Sequence, residues 1–281
     1  MNVNEYAEQV SELFVLSDSF IRIKELIDDE NSTIDDIADV ILLDPALTGT
    51  ILKLANSSFF NYPGKIDTVS KAVLVLGITE IYNLVIAFFA NKALKAIDAE
   101  QDYLDDFWLK SVDCALIVKY LGVKLNIPNA ERLFILGLLH NLGELVVQQL
   151  SPEKGLLARS LSETDLPWNK QKQTLGFTHG ECAAELLKQW QLPFSIIEPI
   201  RNQDNNDFAY SSDETKLLYL SKRIMLSQYN DSSYLEDLLL TEDDLQQLPI
   251  DKAMLQGANY FCDLERLSIL SILNPGAATI Y

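Results

Sequence analysis

Basic residues are scarce in this chain. Lys and Arg number 22 against 41 Asp and Glu, for a formal charge of −19. Phosphate backbones are bound through Lys and Arg, and anionic membrane surfaces attract the same side chains. The balance therefore argues against both nucleic acid and membrane as partners. Cysteine is scarce as well: Cys114, Cys182 and Cys262 are odd in number, widely spaced and without a Cys-x-x-Cys pair, so neither a disulfide framework nor a zinc ribbon is supported. All three lie in apolar helical patterns and read as inert packing. There is no GxSxG nucleophile elbow and no GxxxxGK[ST] phosphate loop, which leaves nucleophilic catalysis and phosphate-loop chemistry without support. The opening Met1–Tyr6 has no basic n-region and no apolar h-region, so no secretory signal is read and a cytoplasmic protein is expected. Histidine occurs only twice, at His140 and His179.

Apolar residues, by contrast, make up 48% of the chain, too many for disorder. They recur at helical spacing, and no run alternates with period two, so the chain reads as all-α. Thr33 and Asp36 resemble a helix start with an acidic third residue. Pro45 suits the first turn of the next helix. A helix over Val69–Leu76 is expected to end at Gly77, and another to run from about Thr79 to Ala96. The most apolar stretch, Ala72–Ala90, is interrupted by Gly77, Thr79, Glu80 and Asn83 and reads as a buried helix rather than a membrane span. Asp98–Asp106 reads as a connection or an exposed helix start, with helical pattern from Phe107 through Leu121. One helix is expected from Pro128 to Leu150, a polar segment over Ser162–Lys172 that is loop-like at first, and a Thr178–Glu181 capping box opening a helix to Trp190. Further helices are expected near Phe194–Arg201, Thr215–Gln228, Tyr234–Leu240 and Lys252–Leu273.

His140 lies within the predicted apolar helix, flanked by Gly137 and Gly143. Each glycine disfavours a helix by roughly 1 kcal/mol relative to alanine, and such glycines usually admit a neighbouring helix. A lone histidine in this setting is most often a hydrogen-bonded core residue. The segment Leu138-Leu139-His140-Asn141-Leu142-Gly143 resembles, however, the LLHDxG signature of the HD superfamily of metal-dependent phosphohydrolases. Four upstream motifs narrow the resemblance: Asp44-Pro45-Ala46-Leu47, Leu54-Ala55-Asn56-Ser57, Ile66-Asp67-Thr68 and Ala72-Val73-x-x-Leu76-Gly77. Two follow downstream, Leu175-Gly176-x-Thr178-His179 and Ala184-x-Leu186-Leu187-x-x-Trp190-x-Leu192-Pro193. In their order and spacing, over roughly residues 10–245, these resemble the HDOD family, a degenerate relative of the HD enzymes.

The resemblance implies a multi-helical fold, with an N-terminal HDOD-specific layer over residues 1–97 packed on a degenerate HD-like bundle over 98–232, and a C-terminal extension over 233–281. HD enzymes hold one or two metal ions through His and Asp, and the metal makes a bound water nucleophilic. Position by position, the family's early His aligns with Lys110, its His-Asp pair with His140-Asn141 and its later His with His179. A His-His pair aligns near Gln203-Asp204, and the final Asp with Lys222. Two histidines remain, the anionic ligands at these positions are gone, and ammonium groups repel a cation. Three or four protein ligands are usual for a catalytic zinc. The expectation is therefore a protein that is not an enzyme and has no intact metal site or cofactor. The competing expectation is a phosphohydrolase with a rearranged site, for which His140, Glu144, His179 and Cys182 form a conceivable ligand set by helical spacing. Lys110 and Lys222 would form an anion site if both point into the former metal pocket; the alternative is that both amines reach solvent. Asn56 and Ser57 read as helix-end residues or as part of a partner surface.

HDOD proteins are implied to act in bacterial signal transduction, often joined to other signalling domains. The expected role is a stand-alone regulatory module that works through an unknown protein partner, such as a signalling component, or as a homodimer. The acidity is uneven: residues 1–44 hold 12 acids and 2 bases, residues 45–197 hold 15 and 14, and residues 198–247 hold 11 and 4. The motif-bearing region is nearly neutral and its flanks are acidic.

Overall fold

The structure, a computed structural model, describes residues 1–13, 17–60, 62–94, 97–128, 130–159, 165–205, 207–208, 211–229, 239, 241 and 248–274. The helix expected over Tyr234–Leu240 and the start of the Ser162–Lys172 loop fall outside these residues, Leu239 apart. The described residues form helices joined by turns and short connections, with no strand among them. They form two compact units, residues 1–14 with 97–262 and residues 15–96 with 263–281.

The smaller unit contains α2 (Asp18–Asp28), α3 (Ile34–Leu42), α4 (Pro45–Ala55), α5 (Val69–Leu76) and α6 (Ile78–Leu94). Local chemistry sets their limits. The Thr33 hydroxyl accepts from the Asp36 amide while the Asp36 carboxylate accepts from the Thr33 amide, a complete capping box. Asp44 caps α4 by accepting from the Ala46 and Leu47 amides, and Pro45 fills the first turn. Gly77 ends α5 at φ +87°, which a side chain rarely adopts. The chain turns there by 118° into α6, so the apolar Ala72–Ala90 stretch is two helices and not one. Asn56 closes α4: its side-chain amide donates to the Leu52 and Ile66 carbonyls and accepts from the Ile66 amide. Those bonds account for Asn56 as a loop anchor. Phe20 packs edge-on against Phe89 in the core of this unit.

The larger unit contains α1 (Val3–Leu13), α7 (Gln101–Lys124), α8 (Glu131–Leu139), α9 (Leu142–Leu150), α10 (Pro152–Arg159), α11 (Pro167–Leu175), α12 (His179–Gln189), α13 (Phe194–Asn202) and α14 (Asp213–Gln228). Helix α15 (Lys252–Leu273) contributes residues to both units, divided at Cys262 and Asp263. Helix α7 is its axis, buried along most of its length and packed on α8 and α14. Helix α1 packs on α9 and α12: Tyr6, Ala7 and Val10 are buried, the Tyr6 ring meets Phe177 edge-on, and its hydroxyl bonds Ser151 at 2.8 Å. The first helix thus groups with residues 97–262.

One expectation is corrected here. The single helix predicted over Pro128–Leu150 is broken at His140–Asn141, where Asn141 takes φ −113° and ψ 15° between α8 and α9. The polar segment to Lys172 carries helix α11 from Pro167, closed by Gly176 at φ +86°.

Candidate functional site

Six helices and one helix corner deliver polar side chains to a single cavity of about 570 Å³ in the larger unit, among them Gln171 from α11. Helix α7 supplies Tyr103, Lys110 and Ser111. The α8–α9 corner supplies His140 and Asn141, and α9 adds Glu144. Helices α10, α12 and α14 supply Arg159, His179 and Lys222. Two glycines bring the backbones close enough. A Cβ on Gly137 would collide with the Ala115 backbone of α7, and a Cβ on Gly143 would collide with the His179 carbonyl oxygen. The glycines expected to admit a neighbouring helix therefore do so, and the second sets the start of α12 beside the His140 corner. The capping box of Thr178 and Glu181 then fixes where α12 begins, and so where His179 stands.

His140 and His179 are both 1% exposed. Burial first, then the nearby Lys222 ammonium, push each imidazole from 6.5 down to about 3, so both rings are neutral. His140 Nδ1 lies 2.6 Å from the Gly137 carbonyl oxygen. A carbonyl only accepts, so this nitrogen carries the proton and Nε2 is an acceptor. The His140 carbonyl accepts from Gln203 at 2.7 Å. Neither ring nitrogen of His179 has a hydrogen-bond partner; the Glu144 carboxylate stands 3.8 Å from Nδ1. The His179 amide donates to Gln171 at 2.8 Å. Ser111 is 1% exposed with its hydroxyl unpartnered.

The charges around the cavity are matched. Lys222, only 4% exposed, meets Asp204 at 2.6 Å and lies over the Trp168 ring at 5.2 Å. Lys110 meets Asp106 at 2.6 Å, with its side chain 35% exposed. Glu144 accepts from the Tyr103 hydroxyl at 2.9 Å and from the Asn141 side-chain amide, with Arg159 at 3.9 Å. Burial and the Glu144 charge hold the Tyr103 phenol far above its usual range.

The five predicted positions, Lys110, His140, Asn141, His179 and Lys222, therefore line one cavity. Lys222 does not reach solvent, and Lys110 is partly exposed. The residues do not fit a divalent metal. Among the described residues no group of three or more His, Cys, Asp or Glu is placed to hold one, and Asn141 spends its amide on Glu144. The set His140, Glu144, His179 and Cys182 fails for the same reason. The helix break at residues 140–141 removes the continuous helix that its spacing assumed, and Cys182 packs at Gly143. Burial raises the Cys182 thiol and likewise Cys114, in keeping with packing roles. Sequence reasoning missed Ser111, Arg159 and, above all, Asp204. The signal was present: by the resemblance, a carboxylate lies near where the family has His-His and an ammonium where it has Asp, an exchange of charge rather than a plain loss.

A family model described as the HDOD domain matches residues 13–206. An uncharacterised protein of Treponema pallidum (strain Nichols) is 29% identical over 202 residues, covering 71% of this chain and 39% of that protein. The chain thus spans about two fifths of the curated relative it matches. Among solved structures, a Shewanella amazonensis SB2B protein provisionally named as a phosphohydrolase has a TM-score of 0.72 at 22% identity, with 97% of each chain covered. An HDOD domain protein of unknown function from Geobacter sulfurreducens has a TM-score of 0.70 at 19% identity and the same coverage. These two establish likeness of fold. A Marinobacter aquaeolei VT8 protein provisionally named in signal transduction is 25% identical with a TM-score of 0.71, over 95% of this chain and 60% of that one.

Proposed function

Since this chain belongs to the HDOD family, we propose that it is a non-catalytic regulatory module of bacterial signal transduction that acts in the cytoplasm by binding a protein partner. The observation that carries this reading is the buried Lys222–Asp204 ion pair. It places an ammonium beside both imidazoles, at the position where HD enzymes keep a metal-binding carboxylate. A fixed cation there opposes a second cation, and a neutral Asn141 offers no bridging charge. Water is then left without the metal that would make it nucleophilic. The signalling designation of the Marinobacter protein supports the same direction.

The test combines metal content after purification with turnover of bis(p-nitrophenyl) phosphate. The expected result is no stoichiometric divalent metal and no turnover above that of His140→Ala. Stoichiometric metal, with turnover abolished by His140→Ala, would replace this reading with a phosphohydrolase. Affinity capture from the native host addresses the partner.

A further inference from the structure

The cavity described above holds polar groups that nothing in the protein satisfies. His179 is 1% exposed, yet neither ring nitrogen has a partner, and the equally buried Ser111 hydroxyl has none. Buried polar atoms are normally hydrogen-bonded, and leaving one unmade costs about 1–3 kcal/mol. Unsatisfied groups that line a cavity of about 570 Å³, within the size range of small-molecule sites, mark a place for a ligand.

The chemistry of the groups says which kind. The cations of the lining are matched by carboxylates: Lys110 by Asp106, Arg159 by Glu144, Lys222 by Asp204. The cavity has no surplus positive charge to draw in a phosphate. The unmet valences are those of neutral groups. His140 Nε2 is an acceptor, fixed by the Nδ1 bond to Gly137. A neutral His179 ring presents one donor and one acceptor, and Ser111 presents either. A carboxylate only accepts, and would set an oxygen against the His140 Nε2 lone pair. A molecule with adjacent N–H and C=O groups meets all three side chains. The lining also holds apolar residues, among them Phe107, Pro167, Met225 and the exposed Leu156.

We propose that this cavity binds a small uncharged ligand of the carboxamide or lactam class, with its amide edge on His140, His179 and Ser111 and its apolar body against Phe107, Pro167 and Met225. Such a ligand gives the regulatory module its input. The assignment takes its meaning from the signalling reading, but it is measured without turnover or a partner. Failure of amide binding leaves the metal and turnover results standing, and metal-dependent turnover leaves an amide titration readable.

The experiment is calorimetric titration of the full chain with benzamide and isoquinolinone, beside benzoate and inorganic phosphate as charged counterparts. Saturable binding of the amides is expected, with benzoate about tenfold or more weaker and phosphate silent. His179→Phe and Ser111→Ala should each weaken amide binding by about tenfold, as removal of a buried hydrogen-bond partner does. Three outcomes overturn the proposal: no saturable binding of either amide to the native chain, benzoate or phosphate binding as tightly as the amides, or unchanged amide affinity in both variants. The comparison of benzamide with benzoate uses only the native protein, so it decides even if His179→Phe fails to fold.

Discussion

Replacing Lys222 by alanine strands Asp204, whose second carboxylate oxygen already lacks a hydrogen-bond partner. Breaking a buried pair from one side costs about 3–5 kcal/mol, because a lone charge stays out of water; replacing both partners by apolar groups is often neutral. Lys222→Ala should therefore lower stability by about that amount, and Lys222→Met combined with Asp204→Leu should recover most of it. Urea denaturation of the single and double variants checks this, and additive losses would sink it. The sequence names Lys222 as an ammonium at a family Asp position. It does not say that the side chain is buried, because an amphipathic helix carries lysine equally well on its wet face. The answer lies in Asp204, 18 residues away on another element.

At the scale of elements, the helices differ in how much room their glycines have. Gly49, inside α4, has nothing within 4 Å of where a Cβ would be, so Gly49→Ala should stabilise the protein by about 0.5–1 kcal/mol through helix propensity alone. Gly143→Ala gains the same propensity but drives a methyl into the His179 carbonyl and the Cys182 side chain. Overpacking of this kind costs about 1–3 kcal/mol, so the net effect should be a loss. Thermal melts of the two variants should move in opposite directions; a stabilised Gly143→Ala would mean that α9 and α12 separate at little cost. Element limits were the most legible feature of the chain. The capping pairs Thr33–Asp36 and Thr178–Glu181, Pro45 at a first turn and Gly77 at a helix end all act within four residues, where sequence and structure are nearly the same information. The break at His140–Asn141 was not read from the sequence. The polar pair and the flanking glycines weaken the helix there, but the corner itself is held by Gln203 reaching the His140 carbonyl from α13's end.

For the whole molecule, the charge of −19 makes self-repulsion a general term against the folded state. Exposed like charges are screened over about 10 Å at 0.1 M salt. The melting temperature should accordingly rise between about 20 mM and about 0.5 M sodium chloride. A fall would show that exposed ion pairs such as Arg22–Glu25 and Lys24–Asp28 outweigh the repulsion. The uneven distribution, with acidic flanks around a nearly neutral motif region, was a direct count. The division into compact units was not: residues 1–14 group with 97–262, because Tyr6 and Val10 bury their side chains on helices distant in sequence.

By itself the sequence determined the helical class, the caps, the family and the chemical identity of the group at each position that the resemblance aligns with an HD-type metal ligand. These depend on side-chain type, or on neighbours within a turn or two. Only the tertiary structure decided that both imidazoles are neutral, that Lys222 pairs with Asp204, and that unsatisfied His179 and Ser111 share a cavity with His140. Burial and charge partnership are properties of the space around a group. That space is filled here by α7, α9, α12 and α14, segments that sequence adjacency does not bring together.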